Sequence, residues 1–333
     1  MIIAEYIWID GTLSLRSKAR VLDIDWQLDI EAIPEWNYDG SSTQQATGKN
    51  SEIILKPRSI YPCPFRGNGC LVMCDTFLPN GDAAKNNHRF SADLIFKSYE
   101  SEKPWYGIEQ EYFICSQSTG LPIGFNPEKK QGNHYCGVGT GNAIGRGVSE
   151  KHLEYCLFAG LKISGTNAEV SPGQWEFQVG PVEGIAAADQ LWVARYILGR
   201  VGELYEVVIN YHPKVLSGEW NGSGCHINFS TEKMRGKNGL DHILSAMDPL
   251  EKAHQKHMDV YGVDNNQRMS GMNETSKIDK FSYGFGDRGA SVRIPLDTKR
   301  NNCGYFEDRR PASNVDPYQG CSIILSTIME NGS

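Results

Sequence analysis

Two glutamates, two residues apart, stand in the middle of a run that otherwise reads as a buried β-strand. The run is WYGIEQEYFI, from Trp105 to Ile114, and the acids are Glu109 and Glu111. Aromatic and β-branched residues favour a half-buried pleated surface, and side chains two positions apart in a strand point to the same face. At a rise of ~3.3 Å per residue the two carboxylates lie roughly 6 to 7 Å apart. Because buried charges need a partner, the sequence predicts a cation between or beside them.

A second pair of acids lies in a predicted β-hairpin. The segment NAEVSPGQWEFQVG, residues 167–180, places Pro172 and Gly173 between two strand-like runs, which is a turn signal. If these two residues form the turn, Glu169 faces Glu176 directly across the strands. Like charges in that position destabilise a sheet, so this pairing predicts a bound divalent cation.

One histidine and the type of ligand atom suggest which metal these acids would bind. His226 lies in the strand-like segment NGSGCHINFS and adds an imidazole to the four carboxylates. Hard oxygen ligands indicate Mg²⁺ or Mn²⁺ rather than zinc. The alternative interpretation is that the acids are solvated glutamates on open sheet faces.

The composition excludes several classes of partner. The chain has 333 residues, of which 40% are hydrophobic and 22% charged, as in a globular protein of one large or two ordinary domains. A formal charge of -7 argues against nucleic acid or an anionic membrane as partner. The amino terminus has no basic region of a signal peptide, and no apolar run approaches ~20 residues, which predicts a cytoplasmic protein. The nine cysteines are scattered and predict free thiols.

The elements that must position the acids fall into two parts. Short strand-like runs at residues 4–9, 52–56 and 69–77 predict a small sheet-rich domain over residues 1–80. Further along, strands alternate with amphipathic patterns, which predicts an α+β domain over residues 81–333. The predicted helices in that domain span residues 149–162, 183–205 and 239–262.

Other candidate residues are less specific. The GVGTG run is neither a dinucleotide fingerprint nor a P-loop, so any nucleotide is expected to bind in another way. His254 and His257 lie three apart on a predicted helix and are interpreted as a polar face. Arginine forks suit carboxylates and phosphates, and the last third of the chain carries several in short motifs: Arg268, Arg288, Arg293, Arg309 and Arg310.

Seven motifs in the order of one family run along the chain. They are NYDGSST (37–43), GIEQEY (107–112), HYCGVG (134–139), GTNAEVSPGQWEFQVGP (165–181), NGSGCHINFS (221–230), ETS (274–276) and GYFEDRRP (304–311). Together they closely resemble type II glutamine synthetases. The resemblance implies a small β-grasp-like amino-terminal domain followed by a large catalytic domain with a curved antiparallel sheet and surrounding helices. It also implies synthesis of glutamine from glutamate, ammonia and ATP through γ-glutamyl phosphate.

The resemblance implies roles for the acids and the histidine. Two or three Mg²⁺ or Mn²⁺ ions per site are expected, with ATP as co-substrate. One ion is expected to take Glu111, Glu169 and Glu176. The ion nearer the nucleotide is expected to take Glu109, His226 and Glu307.

The family pattern also implies substrate contacts. Arg268, Arg288, Arg293 and Arg309 match arginines that hold glutamate or the transferring phosphate, with Arg293 assigned to the nucleotide side, and Asn221 and Gly222 match a contact to the substrate carboxylate. Asn228 and Ser230 match residues near the nucleotide. Asp39, Tyr135 and Glu274 match an ammonium pocket in which Asp39 removes a proton from ammonium, with Arg288 beside the reacting groups.

The same resemblance predicts a ring-shaped homo-oligomer, a decamer of two pentameric rings, with active sites between subunits. The chain begins close to its first strand, so contacts between stacked rings are expected to differ. Asn273 stands where the family usually has histidine, which affects the flap that carries Glu274. Two alternatives remain: a ligase that joins glutamate to another amine, and an inactive structural homologue. The retained ammonium-pocket residues oppose the first, and the complete ligand set opposes the second.

Overall fold

Two β-sheets organise the chain, and helices cover the larger one. The computed structural model describes residues 1–24, 29–128, 131–272 and 276–331. The strands are β1 (Ile2–Ile9), β2 (Leu15–Leu22), β3 (Trp36–Asp39), β4 (Glu52–Pro62), β5 (Gly69–Phe77), β6 (Trp105–Ser116), β7 (Ile163–Ala168), β8 (Gln174–Glu183), β9 (Val207–Asn210), β10 (Cys225–Ser230), β11 (Tyr283–Phe285), β12 (Val292–Ile294) and β13 (Phe306–Asp308). The helices are α1 (His88–Ser98), α2 (Arg146–Phe158), α3 (Ala186–Leu204), α4 (Glu232–Arg235), α5 (Gly239–Ser245), α6 (Met247–Lys252), α7 (His254–Met258), α8 (Leu296–Asn301) and α9 (Pro317–Asn331).

The first sheet contains five strands in the order β2-β1-β5-β4-β3. Its central pair, β1 and β5, is parallel, while the outer pairs are antiparallel. Strand β5 is buried along its whole length, as expected for an apolar strand covered on both faces. The three strand predictions for this region are confirmed.

The second sheet is antiparallel-rich and curls into a half-barrel, in the order β11-β12-β13-β10-β6-β8-β7 with β9 also paired to β6. Strand β6 is its centre, and its residues alternate between fully buried and partly exposed from Tyr106 to Glu111. Helix α3 packs behind the sheet, against β6, β8 and β9. The predicted α+β fold is confirmed, but α1 and α9 were not predicted, and the pattern over residues 239–262 forms three short helices instead of one.

Buried polar contacts join the two sheets. Arg89 of α1 donates two hydrogen bonds of 2.8 Å to Asp189 of α3, and its guanidinium lies 3.8 Å from Asp75 of β5. Tyr318 of α9 donates to Asp189 at 2.6 Å. A charge-assisted bidentate pair of this kind fixes distance and orientation, so α1 is held in a defined position against α3, and the ion pair with Asp75 links these helices to the small sheet.

The interpretation of His254 and His257 as a polar face is wrong, because both imidazoles are buried. His257 lies 2.7 Å from the Tyr261 hydroxyl and 2.8 Å from the Thr327 hydroxyl. Burial, followed by the nearby Arg310 guanidinium, lowers the pKa of His257 to about 3. The two histidines are therefore neutral hydrogen-bonding groups of the core.

Among the helices of the described ranges, none has the length and apolar character that crossing a membrane requires.

Candidate active site

The front face of the large sheet brings the predicted acids together through strand pairing. Glu111 of β6 faces Glu176 of β8, and Glu109 faces His226 of β10 on the other side. Glu307 of β13 lies one strand further along. All but Glu307 line a cavity of about 270 Å³. The prediction that Glu109 and Glu111 share a face is confirmed.

The predicted register of the hairpin is wrong. Glu176 pairs with Asn167, and the amide of Glu169 donates to the carbonyl of Gln174, so Glu169 and Glu176 are not opposed. The amide of Gln174 bonds to the Ser171 carbonyl, and Gly173 has φ +68°. Proline at the second position with glycine at positive φ makes a type II turn. A two-residue hairpin would require positive φ at Pro172, which the proline ring forbids.

Two triads of potential metal ligands result. Glu109, His226 and Glu307 form one, and Glu111, Glu169 and Glu176 form the other, with the offered ligand atoms of each triad within 4.8 Å of one another. His226 Nδ1 lies 3.4 Å from a Glu307 oxygen and 3.6 Å from a Glu109 oxygen. Carboxylate oxygens with one imidazole fit Mg²⁺ or Mn²⁺, so the residues present suit the metals that the sequence predicts.

The electrostatics of the second triad favour a bound cation. Burial, followed by the neighbouring Glu111 carboxylate, raises the pKa of Glu169 to about 8 and that of Glu176 to about 9. Burial also raises the pKa of Glu111. Three carboxyl groups in one desolvated site cannot all ionise without a large free-energy cost. A divalent ion would remove this penalty, because it is the largest charge in such a site and reverses the shift.

We expect the metal-free protein to lose stability as the pH rises from about 5 to 9. The ordinary pKa of a glutamate is 4.5, and both groups are raised in the folded state, so their contribution is complete below pH 4.5 and is lost as the pH passes about 8 and 9. For each proton that the folded state binds and the unfolded state does not, the free energy of unfolding falls by about 1.4 kcal/mol per pH unit. Melting temperatures in chelator from pH 5 to 9 measure the slope, and saturating Mg²⁺ should flatten it. If melting temperature falls with pH equally steeply with and without Mg²⁺, the pH dependence does not come from these two metal-binding glutamates.

Arginines surround the acidic cluster. Arg268 is buried and donates to the Arg309 carbonyl at 2.8 Å, while its Nη2 lies 3.2 Å from His226 Nε2. Arg309 donates to Glu307 at 2.6 Å, and Arg293 lies 3.3 Å from the other Glu307 oxygen. Arg288 lines the same cavity. These forks present positive charge beside the carboxylates, where an anionic substrate would otherwise be repelled.

A second cavity of about 430 Å³ adjoins the first and has a mostly apolar lining. Asn228 and Ser230, which are expected near the nucleotide, line it, and Glu109 lines both cavities. Asn228 donates to Glu109 at 2.8 Å. Arg293, which is expected on the nucleotide side, lines the first cavity.

Three residues of this second cavity were not singled out from the sequence. The Arg235 guanidinium lies over the Trp105 ring at 4.0 Å from its centroid, and Tyr305 also lines the cavity. An aromatic plane of this kind suits a flat heterocycle. Trp105 opens β6 with a half-exposed ring, which was the available signal.

Two further residues of the first cavity were also missed. Asn167 and Gln174 line it. Gln174 Nε2 donates to the Gly222 carbonyl at 3.0 Å and contacts a Glu111 oxygen at 3.4 Å. Both lie in the predicted hairpin, where the wrong register hid their position.

Of the predicted ammonium-pocket residues, the two that the structure describes, Asp39 and Tyr135, do not line one cavity. Tyr135 lines the first cavity and is half exposed. Asn221 and Gly222, the predicted contact to the substrate carboxylate, also line this cavity. Asp39 ends β3 at an edge of the first sheet and is not among the residues that line the cavity. Hydrogen bonds from the Ser41 hydroxyl and amide lower the pKa of Asp39. Glu274 and Asn273 lie outside the described residues.

Comparisons with known proteins identify the family. A family model described as the catalytic domain of glutamine synthetase matches residues 94–250. A provisionally named glutamine synthetase of Acanthamoeba polyphaga mimivirus is 58% identical, covering 99% of this chain and 94% of its own. A glutamine synthetase of Candida glabrata is 50% identical over 98% of this chain and 88% of its own. Glutamine synthetase cytosolic isozyme 1-3 of Arabidopsis thaliana is 50% identical over 98% and 94%. The chain belongs to the glutamine synthetase family.

Proposed function

We propose that this protein ligates ammonia to L-glutamate with ATP, giving L-glutamine, ADP and phosphate through γ-glutamyl phosphate. The observation that carries the proposal is the pair of ligand triads in one polar cavity, with Glu109 shared between that cavity and the adjoining apolar one. An anionic amino acid in the first cavity and a nucleoside triphosphate in the second could meet where the two cavities adjoin. Divalent ions, when bound, polarise the phosphoryl group and offset its negative charge.

The chain's own residues would bind and orient the substrates. Glu111, Glu169 and Glu176 would hold one ion, and Glu109, His226 and Glu307 the other. Arg268, Asn221 and Gly222 would bind the glutamate carboxylate, while Arg288 and Arg309 would face the transferring phosphate. Asn228 and Ser230 would contact the nucleotide, with Arg293 on the phosphate side, since it pairs with Glu307.

Ammonium needs a base, because the cation carries no lone pair. We assign this step to Asp39, with Tyr135 and Glu274 completing the pocket. The lowered pKa of Asp39 keeps its carboxylate ionised near neutral pH, where its negative charge would attract ammonium.

Assembly and location follow from the same proposal. We infer a ring-shaped oligomer, a decamer of two pentameric rings, in which Asp39 serves the site of a neighbouring subunit; the exposed edge position of β3 supports this. We assign residues 1–80 and 81–333 to separate domains. A cytosolic location is supported by relatives that are named cytosolic isozymes.

The test is product formation by the purified protein. With glutamate, ATP, Mg²⁺ and ammonia we expect glutamine, identified by mass spectrometry, and we expect excess chelator to remove it because both triads then lack their ions. Mn²⁺ in place of Mg²⁺ determines the metal preference. Equal product with and without chelator would refute the metal assignment. Methylamine or a polyamine used in preference to ammonia would identify an amine ligase instead, and absence of any product would identify an inactive homologue.

A further inference from the structure

A buried arginine lies behind the acidic cluster, on the opposite face of the sheet. Arg195 of α3 is only 3% exposed. Within the described chain its hydrogen bonds go to neutral acceptors, and no carboxylate pairs with it: the Gln110 side-chain oxygen at 2.6 and 2.8 Å, the Ser313 carbonyl at 3.0 Å, the Val315 carbonyl at 2.9 Å and the Cys225 sulfur at 3.9 Å. Burying a charge without a counter-charge is costly, so the guanidinium depends on these five hydrogen bonds, which fix its position.

The partners of Arg195 lie on strands that carry triad residues or in the segment that follows such a strand. Gln110 is the residue between Glu109 and Glu111, and its side chain is fully buried on the back face. Cys225 precedes His226 on β10. Residues 313–315 follow β13, which carries Glu307. One guanidinium therefore contacts β6, which carries Glu109 and Glu111, β10, which carries His226, and the segment that follows β13, whereas Glu169 and Glu176 lie on the β7–β8 hairpin outside these contacts.

The contacts continue to the main chain of a predicted ligand. Gln110 Nε2 donates to the Glu111 carbonyl at 2.7 Å and to the Ser313 carbonyl and hydroxyl at 3.0 Å. The Ser313 hydroxyl donates to the same Glu111 carbonyl at 2.6 Å. The position of the Glu111 backbone is thus fixed by groups that Arg195 orients.

We propose that Arg195 is a positioning residue that sets the spacing between the two metal-binding triads by clamping Gln110 and Ser313 against Glu111. The inference rests on the proposed function. Its basis is the planar fork: Nε, Nη1 and Nη2 all donate, in directions that match three separate segments. A lysine at this position keeps the charge but offers one rotating ammonium instead of a fixed fork.

The test compares Arg195→Lys with the wild-type protein by Mn²⁺ titration, using the electron paramagnetic resonance of free and bound Mn²⁺. The wild type should bind a spin-coupled pair of ions. In Arg195→Lys we expect one of the two ions to bind ~10- to 100-fold more weakly, the range found when groups that orient metal ligands are removed, and the coupled spectrum to change. The KM for ammonia should stay within about twofold of the wild-type value while kcat falls.

Arg89→Lys is the matched control, because Arg89 is also a buried arginine, and it bonds to Asp189 of α3 instead of to the segments that carry the triads. It should lose thermal stability and keep the wild-type coupled spectrum. If Arg195→Lys does not fold, Ser313→Ala removes one hydroxyl from the clamp and should weaken the same ion in the same direction. Wild-type affinity and coupling in Arg195→Lys, or in Ser313→Ala where that variant replaces it, would overturn the proposal. A wild-type protein that binds no ion pair would refute the proposed function instead.

Discussion

Replacing Glu176 with glutamine is expected to lower glutamine formation by on the order of 10³-fold or more, because a lost ligand costs several kcal/mol of metal-assisted stabilisation. The same variant should be more stable than the wild type in the absence of metal. Glu176 faces Glu111 across β6 and β8, and it is buried. The two effects have opposite signs because the carboxylate is needed only when a cation is present.

The stabilisation follows from the pKa of the wild-type group. Burial and the neighbouring carboxylates raise the pKa of Glu176 to about 9 in the folded protein. The wild type therefore loses stability as the pH rises above 4.5, whereas a glutamine has no proton to retain. The advantage of Glu176→Gln should be absent near pH 4.5 and grow up to about pH 9.

Melting temperatures in chelator at several pH values, together with steady-state rates in saturating Mg²⁺, measure both effects. Glu154→Gln makes the same chemical change on the exposed face of α2 and should alter neither. A metal-free Glu176→Gln protein that melts several degrees below the wild type at pH 8 would show that Glu176 is a structural residue.

Asp39→Ala and Glu307→Ala should each be inactive alone and recover activity when mixed in one ring. Asp39 lies at the edge of the first sheet, whereas Glu307 lies in the large sheet and belongs to a ligand triad. In the proposed ring each interface joins two different surfaces, and we expect the small domain of one subunit to meet the large domain of the next. With random mixing of equal amounts, roughly a quarter of the junctions pair two unaltered halves.

Coexpression with two different affinity tags isolates the mixed rings, and native mass spectrometry verifies their composition. We expect about 25% of the wild-type rate per site for this random pairing. Mixed rings of Glu109→Ala and Glu307→Ala are the control, since both changes fall in the same triad and no junction is intact. Mixed Asp39→Ala and Glu307→Ala rings as inactive as this control would mean that Asp39 serves its own chain.

Local sequence patterns predicted the features that depend on residues close together in the chain, namely which side chains of a strand share a face and where the chain turns. Alternation in WYGIEQEYFI was sufficient to place Glu109 and Glu111 on one face, because the side-chain period of a strand is two. The turn at Pro172 and Gly173 was also located correctly. Its register was predicted wrongly: the strand pairing depends on how many residues the loop contains, and Pro172 in the sequence already excludes a two-residue loop.

Long-range contacts were beyond such patterns. Arg195 lies in an apolar helical run, and its role depends on Ser313, which is 118 residues away. The separation of Asp39 from the cavity likewise depends on how the two sheets pack. The family resemblance supplied the expected ligand sets, and strand register explains physically why Glu109, His226 and Glu307 converge and why Glu111 faces Glu176.

Glu109 lines both cavities, and if each cavity binds a substrate as proposed, this shared carboxylate would make the two binding events interdependent. Linkage is reciprocal: if bound nucleotide tightens glutamate binding by some factor, bound glutamate must tighten nucleotide binding by the same factor. A Glu109→Gln variant should reduce both factors together and by equal amounts. The Glu109 side chain between the two cavities would then couple them, so that the occupancy of each cavity changes the affinity of the other.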